Sequence, residues 1–205
     1  MKIIGLTGGI ASGKNFVADI FRNNGAAIFD ADLEVHKLLE SDQKTILDVS
    51  KAFSESVIDG KIDRKILGNI VFNDKNKLKT LETIIHPIIR QKYLECLDTS
   101  ISEGREMLLL NIPLLLESKN YECDKIIAIT ISRDIQKERF LERARKSDPD
   151  NFIAKKLYLE KKFEQIILSQ IGNAEREEKA DFVINNDVDL ECFEDQVQDV
   201  IADII

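Results

Sequence analysis

The sequence predicts an α/β protein built on a parallel sheet, because apolar strand-like runs alternate with amphipathic helical stretches. Five short apolar runs are typical of strands: residues 2–7, 26–30, 107–112, 125–131 and 181–185. The third and fourth are almost entirely apolar, as strands covered on both faces are. A glycine-rich turn follows the first run and leads into a helical stretch. We therefore expect a three-layer α/β fold with a five-stranded parallel sheet.

The turn after the first strand has the pattern of a phosphate-binding loop. Residues 8–14 read G-G-I-A-S-G-K and fit G-x-x-x-x-G-K, but Asn15 stands where the pattern has Ser or Thr. In a strand–loop–helix arrangement, backbone N–H groups and the helix N-terminus cradle phosphate oxygens. We expect the N–H groups from Gly9 to Lys14 to be donors, and Lys14 to reach the β- and γ-phosphates. The alternative is a strand-to-helix turn in a Rossmann-like protein.

The uneven spacing of the strands predicts two helical insertions. Residues 33–104 have helical periodicity and are far more than one crossover needs, so we expect an inserted helical subdomain there. Its longest helix should run from Leu78 to Leu97, with a bend near Pro87. Residues 133–171 form a second, strongly charged insertion. The core of a single domain then comprises residues 1–32, 105–132 and 172–205.

Composition narrows the possible partners and location. The net charge of −8 and the pI near 5.0 argue against general nucleic-acid binding, which needs a basic face. We expect no membrane segment, because no apolar run approaches the ~20 residues that span a bilayer. We also expect no signal peptide, because the N-terminus lacks the pattern of one. Cys96, Cys123 and Cys192 are odd in number and far apart, which favours reduced thiols in the cytoplasm over a disulfide framework or a zinc site. The oligomeric state stays open, a monomer included.

A phosphate loop with helical insertions after the second and fourth strands is typical of a small-molecule kinase, in which one insertion holds the acceptor and the other closes as a lid. Such a reaction mainly needs positioning, charge neutralisation and exclusion of water. Asp30 ends the second strand, where ligands of open α/β sheets bind, so we favour it as the base that orients an acceptor hydroxyl. The alternative for Asp30 is a helix cap. For Asp32, capping and acceptor positioning are equally supported.

Other side chains near the predicted strand ends leave alternatives open. Asn111 occupies the neighbourhood of a Walker B aspartate, which is absent here. Glu117 can contact the acceptor or pair with a lysine. Arg139 and Arg143 lie four residues apart on one helix face, where they either contact phosphates, which their forked guanidinium groups match, or belong to a solvated charged face.

Together these motifs resemble the dephospho-CoA kinase family, over most of the chain. The matching segments are I-G-L-T-G-G-I-x-S-G-K at 4–14, D-A-D at 30–32, I-H-P-I-I at 85–89, P-L-L-x-E at 113–117 and A-D-F-V-I-N-N at 180–186. The single residues that match are Arg64, Phe72, Arg139, Arg143, Gln170 and Arg176. Each piece is short, but the ordered set is specific.

The resemblance implies ATP-dependent phosphorylation of the ribose 3′-hydroxyl of dephospho-CoA, the last step of coenzyme A biosynthesis, with Mg²⁺ as the usual ion. It implies that Asp30 is the catalytic base and that Lys14, Arg139 and Arg143 act on the transferring phosphate. The implied ATP-binding residues are Gly9, Ile10, Ala11, Ser12, Gly13, Lys14, Asn15, Phe16, Arg176, Asn185 and Asn186. The implied acceptor-binding residues are Asp32, Arg64, Phe72, His86, Leu114 and Glu117. For His86, a helix-packing role beside Pro87 is equally supported.

Three features depart from the family pattern. Ala11 replaces a glycine, so we expect an ordinary backbone conformation there. Asn15 replaces the hydroxyl residue, so any Mg²⁺ ligand at this position is a weaker carboxamide or acts through water. The stretch from Arg139 to Gln170 is about ten residues longer than usual, which implies a longer lid. Two rival functions remain: another small-molecule or nucleotide kinase, and a nucleotide-binding protein that has lost transfer activity.

Overall fold

The computed structural model describes residues 1–72, 74–118 and 121–205. Within them the chain forms seven strands: β1 Lys2–Gly8, β2 Ala27–Asp30, β3 Val57–Ile58, β4 Lys61–Ile62, β5 Met107–Asn111, β6 Lys125–Thr130 and β7 Phe182–Asn185. The α-helices of the same residues are α1 Lys14–Asn23, α2 Ala31–Ser41, α3 Gln43–Ala52, α4 Arg64–Phe72, α5 Lys75–Ser102, α6 Leu115–Ser118, α7 Arg133–Ser147, α8 Phe152–Ser169, α9 Asn173–Lys179 and α10 Leu190–Ile204.

Five strands form one sheet in the order β2-β5-β1-β6-β7. Strand β1 is central and pairs in parallel with β5 and β6, so that Ile4 lies between Leu109 and Lys125. Strand β7 pairs in parallel with β6 at the edge. The predicted five-stranded parallel sheet is confirmed, and each strand lies within a residue or two of its predicted range.

Both faces of the sheet are covered by other elements, as the apolar strands predicted. On one face, Ile4 and Leu6 pack with α1 and α10 in the main hydrophobic cluster, where the Phe16 and Phe193 rings stack with centroids 5.7 Å apart. On the other face, a Cβ added at Gly5 would lie 2.4 Å from Leu115 Cδ2 in α6. The close approach of α6 to β1 therefore requires a residue without a side chain at this position.

The chain divides into two compact units, one comprising Met1–Phe29 with Glu103–Ile205 and the other Asp30–Ser102. The second unit contains α2 to α5 and a short antiparallel hairpin, β3–β4, which the sequence analysis missed. Its turn consists of Asp59 and Gly60 with φ values of 49° and 76°. An Asp-Gly pair with both φ angles positive is the turn that two-residue hairpins favour. The long helix expected across Pro87 is confirmed as α5.

Helices α7 and α8 form an antiparallel hairpin within the first unit. The Phe140 and Phe163 rings pack 5.7 Å apart, and Phe163 is fully buried. Exposed ion pairs, Arg133 with Glu164 among them, also join the two helices. In the described part of the chain, none of the helices combines the length and the apolarity that crossing a membrane would need.

Candidate active site

The phosphate-loop sequence connects the central strand to a helix, as predicted. Strand β1 ends at Gly8, and α1 begins at Lys14 after Gly13, whose φ is 99°. A Cβ at Gly13 would lie 2.5 Å from the Asn186 side-chain nitrogen, so both the angle and the space require glycine. The loop therefore lies at the carboxyl end of β1 and at the N-terminus of α1, where the helix dipole favours anions.

The expected ordinary backbone conformation at Ala11 is wrong. Ala11 has a φ of 58°, in the left-handed region. This conformation brings the Cβ of an L-residue close to its own carbonyl oxygen and costs roughly 1–2 kcal/mol. The loop keeps its shape in spite of the missing glycine, so contacts elsewhere must offset the cost.

Lys14 and the loop backbone already make hydrogen bonds within the protein. Lys14 Nζ donates to the carbonyl oxygens of Gly8 at 2.7 Å and Gly9 at 3.3 Å. Two N–H groups that were expected to face phosphates are also engaged: Ile10 N–H donates to Gln170 Oε1 at 3.1 Å, and Ser12 N–H donates to the Gly9 carbonyl at 3.3 Å. Part of the predicted donor set therefore supports the loop itself.

Asn15 and Asn111 contact each other at the start of α1. Asn111 Nδ2 donates to Asn15 Oδ1 at 3.2 Å, and Asn111 is only 3% exposed. These residues stand where many nucleotide-binding sites have a hydroxyl and a Walker B carboxylate. The contact orients the Asn15 carboxamide. Both positions are therefore occupied by neutral side chains that bind each other.

Arg139 and Asn186 connect the helical hairpin to the loop. Asn186 is buried, and its Nδ2 donates to the Ser12 carbonyl at 2.6 Å. Arg139 Nη2 in turn lies 3.4 Å from the Asn186 carbonyl oxygen and 3.3 Å from its Oδ1. Arg143, one turn further along α7, is exposed. Asn185 N–H is held by Gln196 Oε1 at 2.9 Å, which fixes the start of the β7–α10 connection.

Arg176 and Glu117 lie behind the loop. Arg176 is 2% exposed, and a Cβ added at Gly9 would lie 3.6 Å from its Nη1. Burial lowers the pKa of the Arg176 guanidinium, and the Glu117 and Glu175 carboxylates oppose that shift. Glu117 Oε1 accepts from the N–H of Ile171 at 3.2 Å, where the sequence suggested an acceptor contact or a lysine. The Arg176 guanidinium is therefore buried beside Gly9, and its ATP-binding role stays a prediction.

Asp30 caps a helix. It is the last residue of β2 and the N-cap of α2, and its Oδ1 accepts from the Leu33 N–H at 2.9 Å. Asp32 is exposed in the first turn of the same helix. The capping role weighed for both residues therefore belongs to Asp30. Because a carboxylate has about four lone-pair sites, capping leaves Asp30 able to accept a proton.

The remaining candidates for acceptor binding are exposed. Arg64 and Phe72 are the first and last residues of α4, and His86 lies near the middle of α5. The exposure of His86 argues against the helix-packing role considered for it. Leu114, between β5 and α6, is also exposed.

The sequence analysis missed one residue that contacts the loop. Gln136 Nε2 donates to the Ile10 carbonyl at 2.9 Å, and the residue is only 5% exposed. The available signal was its position three residues before Arg139, on the same helix face. Because the helix is strongly charged, its sequence pattern indicated the arginines and not the neutral glutamine.

Taken together, the sheet order, the glycine loop at the carboxyl end of its central strand and the arginine-bearing hairpin define an α/β phosphate-loop kinase. The dephospho-CoA kinase family profile matches residues 2–191. A Bartonella quintana protein named dephospho-CoA kinase is 41% identical over 207 residues, covering 100% of this chain and 99% of that protein. A Listeria monocytogenes protein of the same name is 35% identical, covering 96% of this chain and 94% of its own length.

Solved structures agree with these sequence matches. The dephospho-CoA kinase from Campylobacter jejuni is 31% identical with a TM-score of 0.66, covering 98% of this chain and 96% of that one. A Thermus thermophilus protein, TT1252, is 26% identical with a TM-score of 0.78, covering 100% and 98%. The chain belongs to the dephospho-CoA kinase family, as its motifs predicted, and it is an enzyme that phosphorylates dephospho-CoA with ATP in coenzyme A biosynthesis.

Proposed function

We propose that the chain transfers the γ-phosphate of ATP to the ribose 3′-hydroxyl of dephospho-CoA, giving coenzyme A and ADP. The observation that carries the proposal is the loop from Gly8 to Lys14, with its helix N-terminus and lysine, in a chain of this family. The acceptor oxygen bonds to the γ-phosphorus while the bond to the bridging oxygen breaks, and that oxygen leaves on ADP with the electron pair.

Asp30 is the proposed base for this transfer. It ends β2 of the parallel sheet, and ligands of such sheets bind outside the carboxyl ends of the strands. Its carboxylate orients the 3′-hydroxyl and takes the proton as the oxygen attacks phosphorus. The hydrogen bond with the Leu33 N–H restricts the rotation of the side chain and thereby supports this role.

Lys14 and the arginines of the hairpin neutralise the phosphate charge in this proposal. Lys14 Nζ donates hydrogen bonds to two loop carbonyls. Rotation of its flexible side chain brings the ammonium to the β- and γ-phosphates. Residues 133–171 act as a lid, and Arg139 and Arg143 stabilise the charge that spreads over the transferring group when it closes. Asn185 and Asn186 belong to the connection that we assign to the adenine.

Asn15 provides the proposed protein ligand for Mg²⁺, directly or through a water molecule. A carboxamide oxygen suits a hard cation, and a carbonyl oxygen that accepts one hydrogen bond from Asn111 keeps a second lone pair. The residues present therefore fit a magnesium ion with one neutral ligand. The ion, when bound, neutralises charge on the β- and γ-oxygens.

The acceptor is assigned to the helical insertion, residues 33–104, through Arg64, Phe72 and His86. Three side chains outside the insertion complete the proposed acceptor set: Asp32, Leu114 and Glu117. Exposed basic and aromatic side chains are suited to a nucleotide with phosphate and base. We assign the reaction to the cytoplasm, because the odd number of separated cysteines favours a reducing compartment. The acidic net charge favours a small-molecule acceptor over a nucleic acid.

An ADP-release assay over a panel of acceptors tests the proposal. Purified protein is supplied with ATP, Mg²⁺ or Mn²⁺, and dephospho-CoA, AMP, CMP or a nucleoside. We expect turnover with dephospho-CoA to exceed that with every other acceptor. Faster turnover of AMP, CMP or a nucleoside would contradict the proposed substrate, and ATP binding without ADP release would indicate a protein that has lost transfer.

A further inference from the structure

Two glutamines hold the Ile10 residue of the phosphate loop from opposite sides. Gln136 Nε2 donates to the Ile10 carbonyl at 2.9 Å, and Gln170 Oε1 accepts from the Ile10 N–H at 3.1 Å. A Cβ added at Gly9 would lie 2.5 Å from Gln136 Nε2 and 3.5 Å from Gln170 Oε1, so the two amides lie directly against the loop. Both backbone hydrogen-bonding groups of one loop residue are therefore engaged by side chains.

The direction of each hydrogen bond is fixed by the backbone. The Ile10 carbonyl can only accept, so Gln136 must present its NH₂ group. The Ile10 N–H can only donate, so Gln170 must present its oxygen. The two glutamines consequently have opposite chemical roles, and a substitution that keeps an acceptor but loses a donor will affect them differently.

The two glutamines come from the two ends of the α7–α8 hairpin that meet at the loop. Gln136 lies in the first turn of α7, and Gln170 is the C-cap residue of α8. The peptide group that joins Ile10 to Ala11 contains the carbonyl that accepts the hydrogen bond from Gln136. This hydrogen bond therefore restrains the peptide plane whose orientation determines φ of Ala11, which is 58°. The contacts thus act where the loop needs an unfavourable backbone angle.

We propose that Gln136 and Gln170 are positioning residues that lock the Ile10 backbone, offset the strain at Ala11 and link the phosphate loop to the hairpin. The inference rests on the proposed function in one respect, that the loop binds the nucleotide phosphates. A preorganised loop pays its ordering cost during folding, so nucleotide binding gains affinity. A movement of either end of the hairpin therefore changes the conformation of the loop. Closure of the lid is in this way coupled to the shape of the phosphate site.

A matched pair of charge-adding substitutions tests the opposite roles. In Gln170→Glu the carboxylate still accepts from the Ile10 N–H, whereas in Gln136→Glu it loses the donor and faces a carbonyl oxygen. Both variants add one negative charge near the loop, and Gln165→Glu adds the same charge at an exposed position of α8. At pH 8 we expect Gln136→Glu to weaken Mg·ADP binding, measured by calorimetry, about tenfold more than Gln170→Glu, the loss expected for one hydrogen bond with an unsatisfied partner.

The pH dependence separates positioning from a general loss of structure. The carboxyl introduced in Gln136→Glu is almost buried, which raises its pKa, whereas the Arg176 guanidinium beside Gly9 and Arg139 on the same helix face lower it. Once protonated, this carboxyl again offers an O–H donor to the Ile10 carbonyl. We therefore expect the Mg·ADP affinity of Gln136→Glu, relative to wild type at the same pH, to recover as the pH falls from 8 to 5.5. The Gln170→Glu and Gln165→Glu variants should show no such recovery. Equal losses at positions 136 and 170, or a loss in Gln136→Glu that is independent of pH, would overturn the proposal.

Hydrogen exchange of the Ile10 amide provides a readout that needs no nucleotide. In the nucleotide-free protein we expect Gln170→Met to speed exchange at Ile10 about tenfold while amides of the central strand keep their wild-type rates. Unchanged exchange at Ile10 would contradict the clamp whatever the protein binds. Wild-type protein that shows the protected amide but does not bind Mg·ADP would instead contradict the proposed function and leave the clamp supported.

Discussion

The phosphate loop and the helical unit Asp30–Ser102 position their functional residues in different ways. The loop is supported by polar side chains that are almost completely buried, among them Asn111, Gln136 and Asn186. The acceptor candidates of the helical unit, such as Arg64 and His86, are exposed on helices. In the proposed reaction the nucleotide site would therefore depend on buried hydrogen bonds, whereas the acceptor site would depend on exposed side chains.

This difference has an energetic meaning. Buried hydrogen bonds in a low-dielectric interior fix groups before a ligand arrives, so less binding free energy is spent on ordering them. An exposed, rotamer-rich side chain costs about 0.5–1.5 kcal/mol when a ligand immobilises it. We therefore expect substitutions around the loop to alter both nucleotide affinity and rate, and substitutions in the helical unit to alter mainly the acceptor KM, with Asp30 as the exception.

Asp30→Asn should have the largest effect. Loss of the base is expected to lower kcat by ~10²–10⁴ and largely spare ATP affinity. Asparagine caps helices about as well as aspartate, so the free energy of unfolding should change by less than about 0.5 kcal/mol. Asp32→Asn, two residues away, is the control and should cost less activity. Steady-state kinetics with urea unfolding of each variant measure both quantities, and a near-normal kcat in Asp30→Asn would reduce this carboxylate to a helix cap.

Substitutions of Arg139 and Arg143, two of the four arginines of α7, should have the next largest effect, and they should differ from each other in ATP affinity. Replacing either Arg139 or Arg143 by Ala should lower kcat by about 10², because each removes charge stabilisation from the transferring phosphate. Arg139→Ala should also weaken ATP binding in the absence of acceptor, since Arg139 contacts Asn186, which holds the Ser12 carbonyl. Arg143→Ala should leave that affinity unchanged. Variants that alter only KM would place both arginines on a solvated helix face.

A smaller effect is expected at Asn15. Threonine gives Mg²⁺ a compact hydroxyl ligand, so Asn15→Thr should lower the Mg²⁺ concentration for half-maximal rate a few-fold. The same change removes the hydrogen bond that Asn111 donates to position 15. Because Asn111→Asp adds a Walker B carboxylate, the double variant Asn15→Thr/Asn111→Asp should lower the required Mg²⁺ concentration further. Magnesium titrations of the three proteins give the comparison. Half-saturation of the wild type at lower Mg²⁺ than either variant would identify Asn15 as an adapted ligand.

Ala11→Gly should have the smallest effect, and it should be stabilising. Glycine adopts a φ of 58° without the Cβ contact that alanine makes, so the free energy of unfolding should rise by about 1 kcal/mol. Ala154→Gly, at an exposed position in the first turn of α8, is the control and should lower the free energy of unfolding by up to about 1 kcal/mol. Urea unfolding measures both. A comparable decrease in the free energy of unfolding of the two variants would show that Ala11 is not strained.

The elements that depend on local pattern were predicted from the sequence. The five strands follow from short apolar runs, and the loop follows from glycine spacing next to a strand and a helix. The β3–β4 hairpin was missed because two-residue strands carry no periodicity, although Asp59-Gly60 was its available signal.

The contacts that hold the candidate site could not be predicted in the same way. The conformation of Ala11 depends on Gln136, which is 126 residues from Ile10 in the chain. The helical spacing of Gln136 and Arg139 indicates a shared face, but it does not identify Ile10 as the partner. The burial of Arg176 depends equally on how α9 packs against the sheet. Residue type indicated the chemistry of the site, and only the fold shows which charges face solvent.

The position of the transferred phosphate in the product distinguishes phosphorylation of the ribose 3′-hydroxyl from the alternative reactions. Wild-type protein is incubated with ATP, Mg²⁺ and dephospho-CoA, and the product is examined by ³¹P NMR and mass spectrometry. We expect one new monoester on the ribose 3′-oxygen for each ADP formed, with the product identical to coenzyme A. A phosphate at another position, or ADP formed together with inorganic phosphate and unmodified dephospho-CoA, would contradict it.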